Sequence, residues 1–116
     1  MLQERRRFLR KRCYLPVRLY PQGAATVIET LSKDISTGGL KCLSPIPVPI
    51  ATPLSIELDL GIGKGVVFLR GHAAWFQEIP QSDQCYLGVI FDDPSEHSRQ
   101  LLSRYIEPLA KNPSLV

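Results

Sequence analysis

Apolar and polar residues alternate along much of this chain, which is the pattern of strands that bury one face and expose the other. The alternation is clearest where Glu57 and Asp59 separate Ile56, Leu58 and Leu60. The same period of two recurs in other segments of strand length, and turn-forming residues lie at the ends of these segments. The pattern predicts six strands, over residues 13–20, 25–32, 40–43, 55–60, 66–76 and 86–91.

The strand predicted over residues 66–76 is the longest of the six. Glycine inside a strand indicates a bend or the close approach of another backbone, which we expect at Gly71. On the alternation, one face of this strand is shared by Val67, Leu69, Gly71, Ala73 and Trp75. Proline is rare inside sheets, so Pro16 predicts an edge position or a bulge in the first strand.

Two connections between the predicted strands have distinctive compositions. Residues 44–53 contain four prolines, which predict a restrained, extended connection, with a proline-rich ligand motif as the alternative. Residues 61–65, Gly-Ile-Gly-Lys-Gly, predict a hairpin turn. Their spacing fits neither common phosphate-binding loop and no helix pattern follows, so we do not assign them to phosphate binding.

One helix is predicted after the last strand. Asp93 is the expected N-cap, with Pro94 and Glu96 in the first turn, and Pro108 and Pro113 are expected to end the helix. An apolar stripe at helical spacing should cover one mouth of the sheet, with partner binding as the alternative. The stripe consists of Leu101, Leu102, Tyr105, Ile106 and Leu109. Together these elements predict an all-β domain, and closure into a barrel would remove exposed strand edges.

The length of 116 residues fits one domain with one core. No apolar run approaches the roughly 20 residues of a membrane-spanning helix. The charged N-terminus lacks the apolar region of a secretory signal, so we expect a cytoplasmic protein. The three cysteines have no metal-binding spacing and are expected to be buried thiols, and the two histidines are too isolated for a zinc site.

Basic residues are concentrated in one short segment. Residues 5–12 hold six of the 14 Lys and Arg residues, so the remainder has eight basic and 11 acidic residues. Five of the six are Arg, whose planar guanidinium suits bidentate contact with phosphate or guanine. Residues 1–12 show no apolar periodicity and predict a flexible arm that gains order on an anionic ligand. A solvated charged tail is the alternative.

A second candidate segment is Asp34-Ile35-Ser36-Thr37-Gly38-Gly39. Asp and Ser side chains bond nearby backbone N–H groups, and Gly tolerates positive φ. We therefore expect Asp34 and Ser36 to hold a sharp turn that passes through Gly38 and Gly39. Such a turn gathers a carboxylate, a hydroxyl and backbone amides, which together with the arginines could close on one anionic ligand. A structured turn with no ligand is the alternative.

These two segments, in this order and in an all-β chain of this size, resemble the PilZ domain, the bacterial receptor module for cyclic di-GMP. Arg6-Arg7-Phe8-Leu9-Arg10 matches the family motif R-x-x-x-R, and Arg5 extends it. Asp34, Ser36 and Gly39 occupy the fixed positions of the family motif [D/N]-x-S-x-x-G. The resemblance implies a six-stranded antiparallel PilZ-type β-barrel with one C-terminal α-helix over residues 13–110. A flexible basic arm precedes this barrel at 1–12, and a tail outside the family core follows at 111–116.

The resemblance also implies how particular residues bind the ligand. Arg6 and Arg10 would clamp guanine and phosphate, and Arg5 could do the same. Asp34 would accept hydrogen bonds from guanine N–H groups. Ser36 would bond the ligand or fix the turn.

Three further positions follow from the resemblance. Gly39 and Gly38 would allow the backbone to approach the ligand closely. In some relatives a Trp near the end of the long strand packs beside a guanine, and Trp75 occupies that place, with a half-buried barrel aromatic as the alternative. Lys11 and Arg12 follow the motif and are not part of it, and the resemblance leaves open whether they contact ligand or solvent. It also leaves open whether one ligand or a stacked pair binds.

Three function classes remain to be compared. The first is a cyclic di-GMP receptor whose arm folds onto the barrel and so forms a surface for an unknown downstream protein. The second is a PilZ module that binds proteins and no nucleotide. The third is a basic-arm binder of nucleic acid or anionic surfaces, which leaves the acidic turn unexplained. No cofactor is expected, and an enzyme is disfavoured because the sequence offers no nucleophile with its base, no metal cluster and no paired catalytic carboxylates.

Overall fold

The structure of this protein is a computed structural model, which describes residues 11–110. The predictions made for residues 1–10 and 111–116 lie outside this range, including most of the arm, its arginines Arg5, Arg6 and Arg10, and the tail. The elements are β1 (Lys11–Arg12), β2 (Pro16–Pro21), β3 (Ile28–Ile35), β4 (Gly39–Ser44), β5 (Pro53–Asp59), β6 (Val66–Glu78), β7 (Cys85–Phe91) and α1 (Glu96–Ala110).

Six of these strands close into the predicted antiparallel barrel. Their order around the barrel is β3-β2-β5-β6-β7-β4, and β4 pairs with β3 to close the ring. The short β1 also pairs with β3, with Lys11 opposite Ile35 and Arg12 opposite Asp34. The fold class is therefore confirmed, and Lys11 and Arg12, which we assigned to the flexible arm, form a strand of the sheet.

Ser32 spans the interruption between β1 and β2. Its Oγ donates a hydrogen bond to the carbonyl of Cys13 and accepts one of 2.9 Å from the N–H of Leu15. The side chain is fully buried, so these bonds satisfy its polar group and hold the two segments in line along β3. Pro16 is the first residue of β2, a position where a missing N–H is tolerated, and β2 pairs with β3 on one side and β5 on the other, so the predicted edge position or bulge is wrong.

The inward faces of the strands form one core, which contains the alternating residues predicted from the sequence. The three cysteines are buried free thiols, as predicted, and burial raises the pKa of the Cys42 thiol to about 12. The core residues contributed by the strands include Leu15, Val17, Leu19, Ile56, Leu58, Val67, Leu69, Leu87, Val89 and Phe91.

The helix begins two residues later than predicted. Ser95 caps it, because its Oγ accepts a hydrogen bond of 3.1 Å from the N–H of Ser98. Asp93, the predicted N-cap, has a φ of 45° and instead turns the chain between β7 and the helix. The helix continues past Pro108 to Ala110, and Pro113, the second predicted stop, lies outside the described residues.

The apolar stripe of α1 packs on the barrel, as predicted. Leu102 and Ile106 are buried in the core, with Leu101 and Tyr105 partly buried beside them. At the first turn of the helix the Ser98 Oγ donates to the carbonyl of Phe68 at 3.2 Å, which ties α1 to β6. Further along, the Sγ of Cys13 donates to the Tyr105 hydroxyl at 3.4 Å. The helix thus spans from β6 to the junction of β1 and β2.

The boundaries of β3 differ from the prediction at both ends. β3 covers Ile28–Ile35 rather than 25–32, since its pairing with β2 begins where Ile28 lies opposite Leu19. At its other end β3 includes Asp34 and Ile35, because both pair with β1 and β4. The predicted turn of six residues is therefore shortened to 36–38.

Candidate ligand-binding site

Ser36 holds the turn between β3 and β4 from the inside. Its Oγ accepts hydrogen bonds from the N–H groups of Gly38, at 3.1 Å, and Gly39, at 3.2 Å. Its own N–H donates to the Gly39 carbonyl at 2.9 Å. The side chain is fully buried. Of the two roles that the sequence left open for Ser36, this geometry supports the fixing of the turn.

Gly39 serves the fold in a different way from the one predicted. We expected positive φ at this position, but Gly39 lies outside the left-handed region. A Cβ built on Gly39 would lie 2.2 Å from the carbonyl oxygen of Val89, on the neighbouring strand β7. Such a distance is a steric overlap, so glycine is needed here for two backbones to come close together.

Asp34 lies on the outer face of the barrel, in a strand and not in the turn. It is the direct partner of Arg12 on one side and of Lys41 on the other. Its side chain is 20% exposed, and its Oδ2 lies 3.9 Å from the Nζ of Lys41. The same ammonium group lies 4.9 Å from the ring centroid of Tyr86. A carboxylate, an ammonium and an aromatic ring are therefore neighbours on this face.

The prediction that Trp75 shares a face of β6 with Val67 and Ala73 is wrong. The register of β6 shifts between Ala73 and Trp75, so Trp75 pairs with Gly88 and its side chain lies on the outer face. A bulge of this kind inserts an extra residue, which reverses the facing of the residues that follow. A Cβ on Gly88 would lie 2.2 Å from the indole of Trp75, which means that the ring lies directly over Gly88. The Trp75 side chain is 41% exposed there.

Four positions on the outer face form a continuous line across β6, β7, β4 and β3, which we call the outer row: Trp75, Gly88, Lys41 and Asp34. Each residue is the direct register partner of the next. Directly paired residues share a face, and neighbouring strands lie about 4.8 Å apart, so the row extends over about 14 Å. The outer row therefore brings together two predicted site residues, Asp34 and Trp75, from distant parts of the sequence.

The described part of the chain begins at the Asp34 end of the outer row. Lys11 lies opposite Ile35, next to the turn held by Ser36, and Arg12 lies opposite Asp34. In the sequence, Lys11 directly follows Arg10, the last residue of the first motif. Arg5, Arg6 and Arg10 themselves lie outside the described residues.

Sequence reasoning missed three residues of this face: Lys41, Tyr86 and Gly88. Lys41 follows the second motif closely, but only its pairing with Gly88 shows that it lies between Asp34 and Trp75. Gly88 was read as part of a strand, although a glycine there could have signalled a large neighbour such as an aromatic ring. The missing information was the register between strands, which a single sequence does not contain.

The described residues also include a groove that lies apart from the predicted site residues. A groove of about 440 Å³ is lined by β2, β5, β6 and the start of α1, including Phe68 and Arg70, and contains none of the predicted site residues. Over residues 11–110, no three His, Cys, Asp or Glu side chains are grouped in a way that could hold a metal ion. Within the same range, no helix combines the length and apolar character needed to cross a bilayer.

Gly88→Ala is expected to displace the indole of Trp75. The added methyl group would overlap the ring, which can move only outward, away from the sheet. Trp75 is the single tryptophan of the sequence, so its fluorescence reports this contact alone. We expect the emission maximum to shift to longer wavelength, with a loss of about 1 kcal/mol in the free energy of unfolding as the aromatic contact weakens.

The matched control for this prediction is Gly63→Ala, in the hairpin between β5 and β6. A Cβ on Gly63 meets no atom within 4 Å, so the tryptophan emission should not change. If Gly88→Ala also left the emission unchanged, the stacking of Trp75 over Gly88 would be incorrect.

This chain is similar to a known protein family and to several solved structures. The model of the PilZ domain family matches residues 4–107 of this chain. Among curated proteins, none matches the sequence.

Several solved structures share this fold. The PilZ domain of YcgR from Escherichia coli with c-di-GMP is 19% identical, with a TM-score of 0.73 and coverage of 93% of both chains. The Bacillus subtilis inhibitor of motility MotI/DgrA is 19% identical, with a TM-score of 0.79, over 93% of this chain and 52% of that one. The MrkH–c-di-GMP complex of K. pneumonia is 18% identical, with a TM-score of 0.66, over 95% of this chain and 52% of that one. The chain thus spans about half the length of the last two.

Proposed function

Because this chain belongs to the PilZ domain family, we propose that it is a receptor for cyclic di-GMP. The observation that carries the proposal is the outer row, in which Asp34 and Trp75 share the outer face, with Arg12 directly opposite Asp34 and only Lys11 between Arg12 and the arginine motif in the sequence. Two of the similar structures, those of YcgR and MrkH, contain c-di-GMP, which supports the choice of ligand.

The groups on this face suit guanine. An ionised carboxylate accepts hydrogen bonds only, so Asp34 can accept from the N–H groups of a guanine edge. Aromatic side chains stack on unpaired bases, and Trp75 offers a ring that is 41% exposed for such a contact. Ser36 is buried and acts indirectly, by keeping the turn beside Asp34 in shape.

The arginine motif would supply the remaining binding energy. An Arg guanidinium can bond the O6 and N7 acceptors of guanine in a bidentate manner, or a phosphate. Each charge-assisted hydrogen bond contributes about 1.5–3 kcal/mol, and a micromolar affinity requires about 8 kcal/mol. Arg6, Arg10 and, more weakly, Arg5 therefore have to act together with Asp34 and Trp75, because no single contact is sufficient.

We further propose that the ligand draws residues 1–10 against the outer row, and that the new surface binds a downstream protein. The similarity to an inhibitor of motility favours an effector that acts on a protein over an enzyme. The ordering of a segment by a ligand is a common switching device, and its cost has to be met by the binding energy.

Isothermal titration calorimetry with cyclic di-GMP, with GTP as the control nucleotide, tests the proposal. We expect saturable binding at micromolar or tighter dissociation constant, no binding of GTP, and a change in Trp75 emission on titration. The stoichiometry will distinguish one ligand from a stacked pair. Absence of binding at low ionic strength would refute the receptor function. Binding of any polyanion, regardless of its bases and with steep salt dependence, would point to a nucleic-acid or surface binder instead.

A further inference from the structure

We infer that Lys41 is a further ligand-binding residue of this face and contacts a phosphate group of the cyclic dinucleotide. The inference rests on the proposed function, since it assigns a role within the same site. It goes beyond the two motifs, neither of which includes Lys41.

The position of Lys41 is the first reason. It lies within the outer row, one strand from Asp34 and two strands from Trp75, and only Gly88, which has no side chain, separates it from the indole. A dinucleotide that places guanine groups on both Asp34 and Trp75 must therefore pass over Lys41. The parts of the ligand that join its two bases are ribose and phosphate, and of these the phosphate attracts an ammonium group.

The contacts of Lys41 leave it able to bind a ligand. The side chain is 34% exposed, and its Nζ lies 3.9 Å from Asp34 Oδ2, which is longer than a hydrogen bond. The Tyr86 ring, 4.9 Å away at its centroid, attracts the cation without using a particular N–H donor. These two neighbours hold the ammonium over the outer row, and its three donors can still turn towards a phosphate oxygen.

The charge of Asp34 is the third reason. A carboxylate in a site that binds phosphates repels them, and the repulsion is strongest on a partly buried surface. Lys41 is a cation next to this carboxylate, so it helps to offset the repulsion and allows Asp34 to serve the guanine.

Titration of Lys41→Met with cyclic di-GMP tests the inference. We expect the affinity to fall about tenfold or more, and Lys41→Arg to retain affinity within a few-fold of the parent protein. Lys64→Met, which removes the same charge from the exposed hairpin between β5 and β6, is the matched control and should bind like the parent. A thermal melt of each variant should show that the fold is intact.

The Asp34→Asn background separates a phosphate contact from an effect on Asp34. If Lys41 contacts the ligand directly, Lys41→Met should still weaken binding by about fivefold or more in that background, titrated to millimolar ligand at low salt. Loss of the effect there, or unchanged affinity of Lys41→Met alone, would overturn the inference. Failure of the parent protein to bind cyclic di-GMP would instead overturn the proposed function.

Discussion

Replacing both Arg6 and Arg10 with alanine is expected to weaken cyclic di-GMP binding by about 10²–10⁴-fold, the largest effect we predict for any substitution in the site. Each residue would lose a charge-assisted contact worth about 1.5–3 kcal/mol, and every 1.4 kcal/mol changes the affinity about tenfold. Calorimetry at fixed ionic strength gives the dissociation constants of the parent protein and of the double variant. The melting temperature without ligand is measured alongside, to check that the double variant is folded.

The matched control removes two arginines from elsewhere on the surface. Arg99→Ala together with Arg104→Ala lowers the net charge by the same amount on α1, where both residues are exposed. This variant should bind like the parent protein. If both double variants weakened binding equally, the effect would be one of overall charge, and the arginine motif would have no specific role.

Gly39→Ala is expected to lower the free energy of unfolding by about 3 kcal/mol, because overpacking of a tight contact typically costs about 1–3 kcal/mol and rigid neighbours raise the cost. The added Cβ would lie 2.2 Å from the Val89 carbonyl, so relief requires movement of backbone and not of a side chain. For a domain of this size the melting temperature should fall by about 10–20 °C. Urea or thermal unfolding followed by circular dichroism measures the change.

Gly63→Ala again provides the comparison, for a different reason. Gly63 has a φ of +76° but open space around it, so alanine there adds only left-handed strain of about 1–2 kcal/mol. A loss at Gly39 no larger than the loss at Gly63 would mean that the close approach of β4 to β7 is not what requires glycine.

The strands and the core could be predicted because the signal for them is local. Ile56 and Leu58, with polar residues between them, specify an inward and an outward face without reference to any other strand. Gly71 was likewise predicted to allow a close backbone contact, and a Cβ there would lie 2.3 Å from the carbonyl oxygen of Ile90. The resemblance to a family then supplied the second motif, which identifies Asp34 and Ser36.

The remaining features depend on pairing between strands, which the sequence does not display. Trp75 faces outward because one extra residue enters β6 at the register shift. A prediction from alternation alone continues the period of two through this position and therefore assigns Trp75 to the wrong face. Asp34 belongs to a strand because β1 and β4 are both present to pair with it. The helix begins at Ser95 and not at Asp93 because two acceptable capping residues lie close together, and the packing of α1 on β6 decides between them.

The construction of the outer row has a consequence for the time course of folding. Lys41 and Gly88 are direct partners although they lie far apart in the chain, and the row is complete only when the β4–β7 and β6–β7 pairs have both formed. Pairings of high contact order form slowly, since a long loop has to close first. A newly synthesised or partly folded chain therefore carries both sequence motifs but not the outer row. On the proposed function, only molecules that have completed the barrel would respond to the second messenger.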